Sequence, residues 1–137
     1  MKPTLVDTDI LSMYFRGHDN VKSNFEKYGQ QYGKINLSII TYYEILSGLK
    51  HRDAEKQLQS FLAFANQNTI LNLTEHSVTT SAEIYAELRK EGEPIDDIDL
   101  LIAGIALSHD LMIATNNESH FNRIKKLKIV NWSKKKL

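Results

Sequence analysis

Apolar positions recur along this chain with two periods. Short runs of apolar and β-branched residues read as strands at Thr4–Asp7, Lys34–Ile39, Thr69–Leu73, Leu111–Thr115 and Ile129–Trp132. Between them the spacing turns helical. Thr8–Arg16 carries Ile10, Leu11, Tyr14 and Phe15 and is stopped by Gly17. Val21–Tyr28 runs to Gly29, Thr41–Leu49 carries Gly48 near its end, and Glu55–Asn66 aligns Leu58, Phe61, Leu62 and Ala65. Thr74 caps a longer helix to Lys90, with Val78, Ala82, Tyr85 and Leu88 expected inward. After the loop Glu91–Pro94 comes Pro94–Leu107, and Asn117–Ile124 forms a short helix. Strands alternating with helices predict an α/β fold with a mostly parallel central sheet of four or five strands. The pattern reads as a single domain over 1–137, in which 129–137 is a last strand and a basic tail.

Pro94–Leu107 organises the rest. It opens with Asp96, Asp97 and Asp99 and then becomes apolar on every face, which marks a buried helix with an acidic beginning. A buried carboxylate needs a donor, a cation or a metal. Capping competes with that reading, because Asp96 with Asp99 three residues on fits an acidic capping box and acids suit a helix start.

A chain of 137 residues, 42% hydrophobic and 25% charged, can bury a real core. No apolar run approaches a membrane span of ~20 residues. Met1-Lys2-Pro3 leads straight into the first strand, which leaves no room for a signal peptide. Without cysteine there is neither a disulfide framework nor a thiolate metal site. A cytoplasmic location is the expectation. The balanced charge of 17 basic and 17 acidic residues hides a basic end: Arg123, Lys125, Lys126, Lys128 and Lys134–Lys136 follow the last acid, Glu118. Such a tail serves a phosphate backbone or is simply solvated, and composition does not choose between the two.

In open parallel sheets the ligand crevice lies outside the carboxyl ends of the strands. Asp7 ends the first strand, and Thr115-Asn116-Asn117 ends the fourth. Glu44 and Asp99 sit in first turns of helices expected to start at that edge. Three carboxylates and an amide form an all-oxygen donor set that suits Mg²⁺ or Mn²⁺, and the five histidines lack zinc-ligand spacing. Held this way, a divalent ion supports phosphodiester hydrolysis. Each residue also has a plainer reading. Asp7 and Asp9 suit a helix cap, Thr41-x-x-Glu44 matches a capping box, Asn117 suits a turn, and His120 suits packing.

The blocks Leu5-Val6-Asp7-Thr8-Asp9-Ile10-Leu11-Ser12, Thr41-Tyr42-Tyr43-Glu44-Ile45-Leu46-Ser47-Gly48-Leu49, Pro94-Ile95 leading to Asp99-Leu100-Leu101-Ile102-Ala103, and Ala114-Thr115-Asn116-Asn117 with His120-Phe121-Asn122-Arg123-Ile124 and Asn131-Trp132 resemble the PIN-domain ribonucleases. Within that family they are similar to VapC-type toxins of toxin–antitoxin pairs. The resemblance covers nearly the whole chain and implies a PIN-like three-layer α/β/α fold. It implies that Asp7 and Asp99 are direct metal ligands, with Glu44 acting directly or through water and Mg²⁺ or Mn²⁺ as cofactor. Asn117 stands where many members have a fourth Asp, as part of the catalytic group. Thr8 and Thr115 stand where hydroxyls orient the acids, and Asp96 is a candidate additional member. Asp9 falls where Asn is more usual and reads as a helix-start residue. The resemblance further implies a cytoplasmic endoribonuclease cutting single-stranded or loop RNA, with tRNA one candidate, as well as a homodimer and a VapB-like antitoxin partner, with no membrane association. An acidic site repels RNA, so Arg123, Lys125, Lys126 and the Lys134–Lys136 tail are the expected RNA-binding rim. Two rivals remain open. A haloacid-dehalogenase-like phosphatase would use Asp7 as nucleophile and Asp9 as acid, although Leu11 stands where it expects Thr or Val and Lys90 is a poor phosphate lysine. The other is a non-catalytic metal-binding α/β interaction domain.

Overall fold

The computed structural model describes residues 1–135, so Lys136 of the basic tail lies outside the described residues. Five short strands form one sheet: β1 (Thr4–Val6), β2 (Asn36–Ser38), β3 (Thr69–Leu71), β4 (Met112–Ala114) and β5 (Ile129–Val130). Their order is β3-β2-β1-β4-β5, and every adjacent pair is parallel. Parallel strands need crossover helices on the faces. These are α1 (Thr8–Phe15), α2 (Asp19–Tyr32), α3 (Ile39–His51), α4 (Glu55–Asn66), α5 (Glu75–Lys90), α6 (Asp97–Ser108) and the single turn α7 (Glu118–Phe121). The strand side chains alternate between two cores. Leu5 and Ile113 pack with α5, α6 and α7, while Val6 and Ala114 pack with α1–α4 and Trp132. The three-layer α/β/α arrangement is thus present.

Three local readings are corrected. The second helix does not stop at Gly29 but runs on to Tyr32, because Gly33, at φ +83°, is the left-handed terminator and donates its N–H to Gly29 O. Residues 41–44 form no capping box. The N-cap of α3 is Ser38, whose Oγ accepts from Thr41 N, so the helix starts at Ile39 and Glu44 lies in its second turn. The inner face of α5 is rotated. Ser77, Ser81, Ile84 and Leu88 are buried, while Val78 and Tyr85 are exposed and only Leu88 of the expected set points inward. The cause is a close approach of α5 to α6. Ser81 Oγ donates to Leu100 O, which satisfies its hydroxyl, and a Cβ on Gly104 would collide with Ser81 Oγ and the Ser77 carbonyl.

Gly104→Ala is therefore expected to push the two helices apart and cost about 2–3 kcal/mol. Denaturant unfolding reads this directly, and an unchanged midpoint would show that the interface yields without strain.

Candidate active site

The carboxyl edge of the sheet is where the polar groups collect. Asp7 follows β1 and is almost fully buried, at 6% exposure. One of its oxygens accepts from Thr8 N at 2.8 Å, and the other accepts from the Thr115 hydroxyl at 2.8 Å. Thr115, buried at the end of β4, is itself pinned, since its Oγ1 accepts from Asn117 N at 2.9 Å. Both hydroxyls singled out in the sequence therefore touch acids. Thr115 holds Asp7, and Thr8 Oγ1 donates to Glu44 Oε1 at 2.7 Å and meets Thr41 Oγ1 at 2.9 Å.

Asp99 does not act as a cap. Its Oδ2 accepts from Asn117 Nδ2 at 3.3 Å and lies 3.0 Å from His120 Nδ1. The same Nδ1 is 2.9 Å from Asn117 Nδ2, so the tautomer decides which neighbour the imidazole serves. Asp96 holds the N-cap position of α6 but makes no side-chain cap bond and is exposed, as is Asp97. The acidic capping box of Asp96 and Asp99 is thus absent, and Asp96 makes no side-chain hydrogen bond to the residues around Asp7 and Asp99.

Electrostatics couple the acids, and their mutual repulsion opposes ionisation. Burial, followed by the charge of Asp9, pushes the Asp7 carboxyl up to about 7, against the downward pull of Thr115 and Thr8, and Asp99 adds to the rise. Asp9 is raised as well, first by burial and also by the charge of Asp99, although it accepts from Ile10 N at 2.7 Å and Asn116 N at 3.1 Å. Asp9 therefore lies close enough to Asp7 and Asp99 for the three acids to feel one another's charge. The clue in the sequence was the Asp7-x-Asp9 spacing across a strand end, where the second acid cannot move far from the first. His120 was also undervalued. It lies three residues after Asn117 on one turn, the spacing that puts two side chains on the same side.

The expected basic rim is partly committed elsewhere. Arg123 Nη1 donates to Pro94 O at 2.8 Å, and Lys125 Nζ to Glu91 Oε1 at 3.4 Å, so both fasten the loop leading into α6. Lys134 pairs with Glu118 at 2.7 Å, and Lys126 is exposed.

A five-stranded parallel sheet with acids crowded at its carboxyl edge defines an α/β domain of PIN type, and the chain belongs to the PIN-domain family, whose sequence model matches residues 4–127. Within the family it groups with the VapC ribonucleases. It is 32% identical over 109 residues to the tRNA(fMet)-specific endonuclease VapC of Shigella flexneri, covering 79% of this chain and 83% of that one. It is 32% identical over 130 residues to Ribonuclease VapC1 of Methanocaldococcus jannaschii, covering 95% and 87%. The fold is similar to that in the crystal structure of VapBC2 from Rickettsia felis bound to a DNA fragment from its promoter, with a TM-score of 0.84 and 28% identity over 94% of this chain and 98% of that one. Family membership removes the phosphatase alternative.

PIN-domain nucleases generally depend on a divalent metal. Among the described residues, no group of three or more His, Asp or Glu stands ready as a metal cage. Mg²⁺ does not need one, because it keeps several waters and is held by one or two carboxylates together with substrate phosphate. Burial first, and then the charge of neighbouring acids, disfavours the ionised Asp7 and Asp9, and a cation would offset both, so the donor set fits.

Proposed function

We propose that this chain is a Mg²⁺- or Mn²⁺-dependent endoribonuclease and the toxin of a VapBC-type toxin–antitoxin pair. The names of the Shigella and Methanocaldococcus relatives support RNA as the substrate class, the former pointing to tRNA. The Rickettsia complex supports a VapB-like antitoxin as partner. We carry forward a homodimer, a cytoplasmic location and one PIN-like domain spanning 1–137. The location agrees with the absence, among the described residues, of any helix long and apolar enough to cross a membrane. The observation that carries the reading is the buried Asp7 carboxyl, raised to about 7 by burial and by the neighbouring acids. A buried carboxyl raised by burial and neighbouring acids, at the ligand-binding edge of a parallel sheet, is the environment of a catalytic or metal-binding acid.

In this reading Asp7 and Asp99 hold the cation. When bound, it neutralises a phosphate oxygen and acidifies a water. The chain's own residues do the rest. Thr8 N–H and the Thr115 hydroxyl fix both oxygens of Asp7, so the carboxylate arrives in one orientation. Asn117 and His120 hold Asp99 by one oxygen only, Oδ2. Glu44 has one oxygen held by Thr8 and the other without a protein partner among the described residues. Glu44, which would also help hold the cation directly or through water, takes the proton of the attacking water at that free Oε2 as the water oxygen bonds to phosphorus; the P–O ester bond breaks and the leaving oxygen takes a proton from solvent. Asn117 is neutral where a fourth acid is usual, which favours one strong cation site over two.

The test is incubation of the purified protein with total RNA in Mg²⁺ or Mn²⁺ and, in parallel, in EDTA. Discrete fragments are expected only with the metal. No cutting in either, or equal cutting in EDTA, would end this reading.

A further inference from the structure

Asn116 stands at the acidic edge with one half of its side-chain amide engaged and the other half open to solvent. We propose that its NH₂ group is a substrate contact, donating a hydrogen bond to a phosphate oxygen of the RNA next to the scissile bond. The proposal rests on the nuclease reading and names a residue that seats the substrate of that site.

Its place follows from its neighbours in the chain. Thr115, just before it, holds Asp7, and Asn117, just after it, reaches Asp99. Asn116 N itself donates to Asp9 Oδ2 at 3.1 Å. The orientation of its amide follows from groups that can only donate or only accept. Ser133 N, a donor, reaches Asn131 Oδ1 at 3.0 Å. Glu118, whose carboxyl is held below its usual range by Lys134 and Asn131, accepts from Asn131 Nδ2 at 3.0 Å. Asn131 is fixed by these two partners, and its second N–H turns to Asn116. The atom of Asn116 that meets it at 3.0 Å must then be the oxygen, Oδ1. Ser133 Oγ meets the same oxygen at 3.3 Å. The NH₂ of Asn116 is left exposed, with no protein acceptor among the described residues.

The frame behind that oxygen is itself anchored. Asn131 and Ser133 belong to the segment after β5, and α2 ties this segment down. Asn20 Nδ2 donates to Ser133 O at 3.0 Å, Asn24 Nδ2 donates to Trp132 O at 3.1 Å, and Trp132 is buried. A donor aimed in advance loses little freedom on binding. The other side-chain donors that touch these acids are already engaged: the Thr8 and Thr115 hydroxyls and the Asn117 amide serve Glu44, Asp7 and Asp99. A cation in place of Asn116 would be drawn onto Asp9, whereas a neutral amide stays available. A fixed donor selects a partner that only accepts. Phosphate oxygens do so at every nucleotide, while base edges mix donors and acceptors according to sequence.

Asn116→Ala and Asn116→Asp separate a substrate contact from a structural one. Asp keeps an oxygen for Asn131 Nδ2 and Ser133 Oγ but puts a second oxygen where the outward donor was, and Ala removes both halves. Fluorescence anisotropy with 5′-fluorescein 12-nucleotide oligo(A), oligo(C) and oligo(U), in an Asp7→Asn background that does not cut, reads the contact. Asn116→Ala is expected to weaken binding about tenfold, equally for the three RNAs, with an unchanged salt slope because no charge is lost. Asn116→Asp is expected to weaken it further, about 30-fold in all, because a carboxylate now faces the phosphate, while melting at the temperature of its parent. With Asp7 intact and Mg²⁺ present, Asn116→Ala should raise KM and leave kcat nearly alone. If Asn116→Asp binds RNA as its parent does, Asn116 only braces the end of the chain and the proposal is overturned. Unequal weakening across the three RNAs overturns it too, because the contact is then to a base. Failure here is separable from failure of the nuclease reading. If Asn116→Asp binds normally while the wild type cuts RNA with Mg²⁺, only this assignment falls. If Asn116→Asp weakens binding but RNA is never cut, only the nuclease reading falls.

Discussion

Asp7→Asn raises the melting temperature of the metal-free protein at pH 8 and lowers RNA cleavage about a thousandfold, a loss of about 4 kcal/mol of transition-state stabilisation. The two effects share one cause. The Asp7 carboxyl is 6% exposed, and burial and the charges of Asp9 and Asp99 push it up to about 7, so at pH 8 it is held ionised at a cost. The amide has the same shape and no charge. Its oxygen still accepts from Thr8 N. Its NH₂ faces the Thr115 hydroxyl, which can rotate from donor to acceptor while still accepting from Asn117 N. The Thr115 hydroxyl hydrogen and the second amide N–H are left without a partner, together a smaller cost than the charge removed. Cleavage fails because the amide cannot hold a cation as a carboxylate does. The checks are a circular-dichroism melt without metal and a cleavage time course with Mg²⁺. Wild-type cleavage would remove Asp7 from the chemistry. A lower melting temperature would mean that the carboxylate stabilises the fold, contrary to its raised pKa.

The parallel sheet and the shared edge were readable from one rule, whereas the strand order came only with the structure. In a parallel sheet the residue after each strand lies at the carboxyl end, so Asp7 and Thr115 share that edge, and the pairing of β1 with β4 makes them neighbours; α6 follows α5 and not a strand, and its start is placed there by its return into β4. What escaped the reading depends on partners distant in sequence. Ser77 and Ser81 look like surface residues, yet both are buried because α6 brings Gly104 and the Leu100 carbonyl against them. Ser38 looked like the end of a strand, and only its bond to Thr41 N shows that it starts α3 and moves Glu44 into the second turn. Asp9 has the local pattern of a cap residue beside Asp7, and the burial that raises its carboxyl, with the charge of Asp99 added from α6, appears only in the folded chain. The density of positive charge at the end of the chain suggested a rim there. A count of lysines does not show that Arg123 is bonded to a carbonyl 29 residues away.

The metal-free protein loses stability as pH rises from 5 to 8, and Mg²⁺ restores more of it at pH 8 than at pH 6. The folded-state pKa of Asp7 is about 7, against 3.8 for the free side chain, so between those values the native state binds more protons than the unfolded one. The stability linked to that proton is fully present below about pH 4 and lost as pH rises through 7. At ~1.4 kcal/mol per pKa unit, the whole span amounts to about 4 kcal/mol. Asp9, raised in the same direction, adds to the slope. A cation bound by Asp7 must first displace that proton below pH 7, so its affinity falls as pH drops, by up to about tenfold per unit. Denaturant midpoints at pH 5, 6, 7 and 8, with and without Mg²⁺, separate the two effects. In Asp7→Asn the slope should flatten and most of the Mg²⁺ increment should vanish. An increment that is the same at every pH and persists in Asp7→Asn would mean that the cation binds away from Asp7, and the assignment of this edge as the metal site would have to be abandoned.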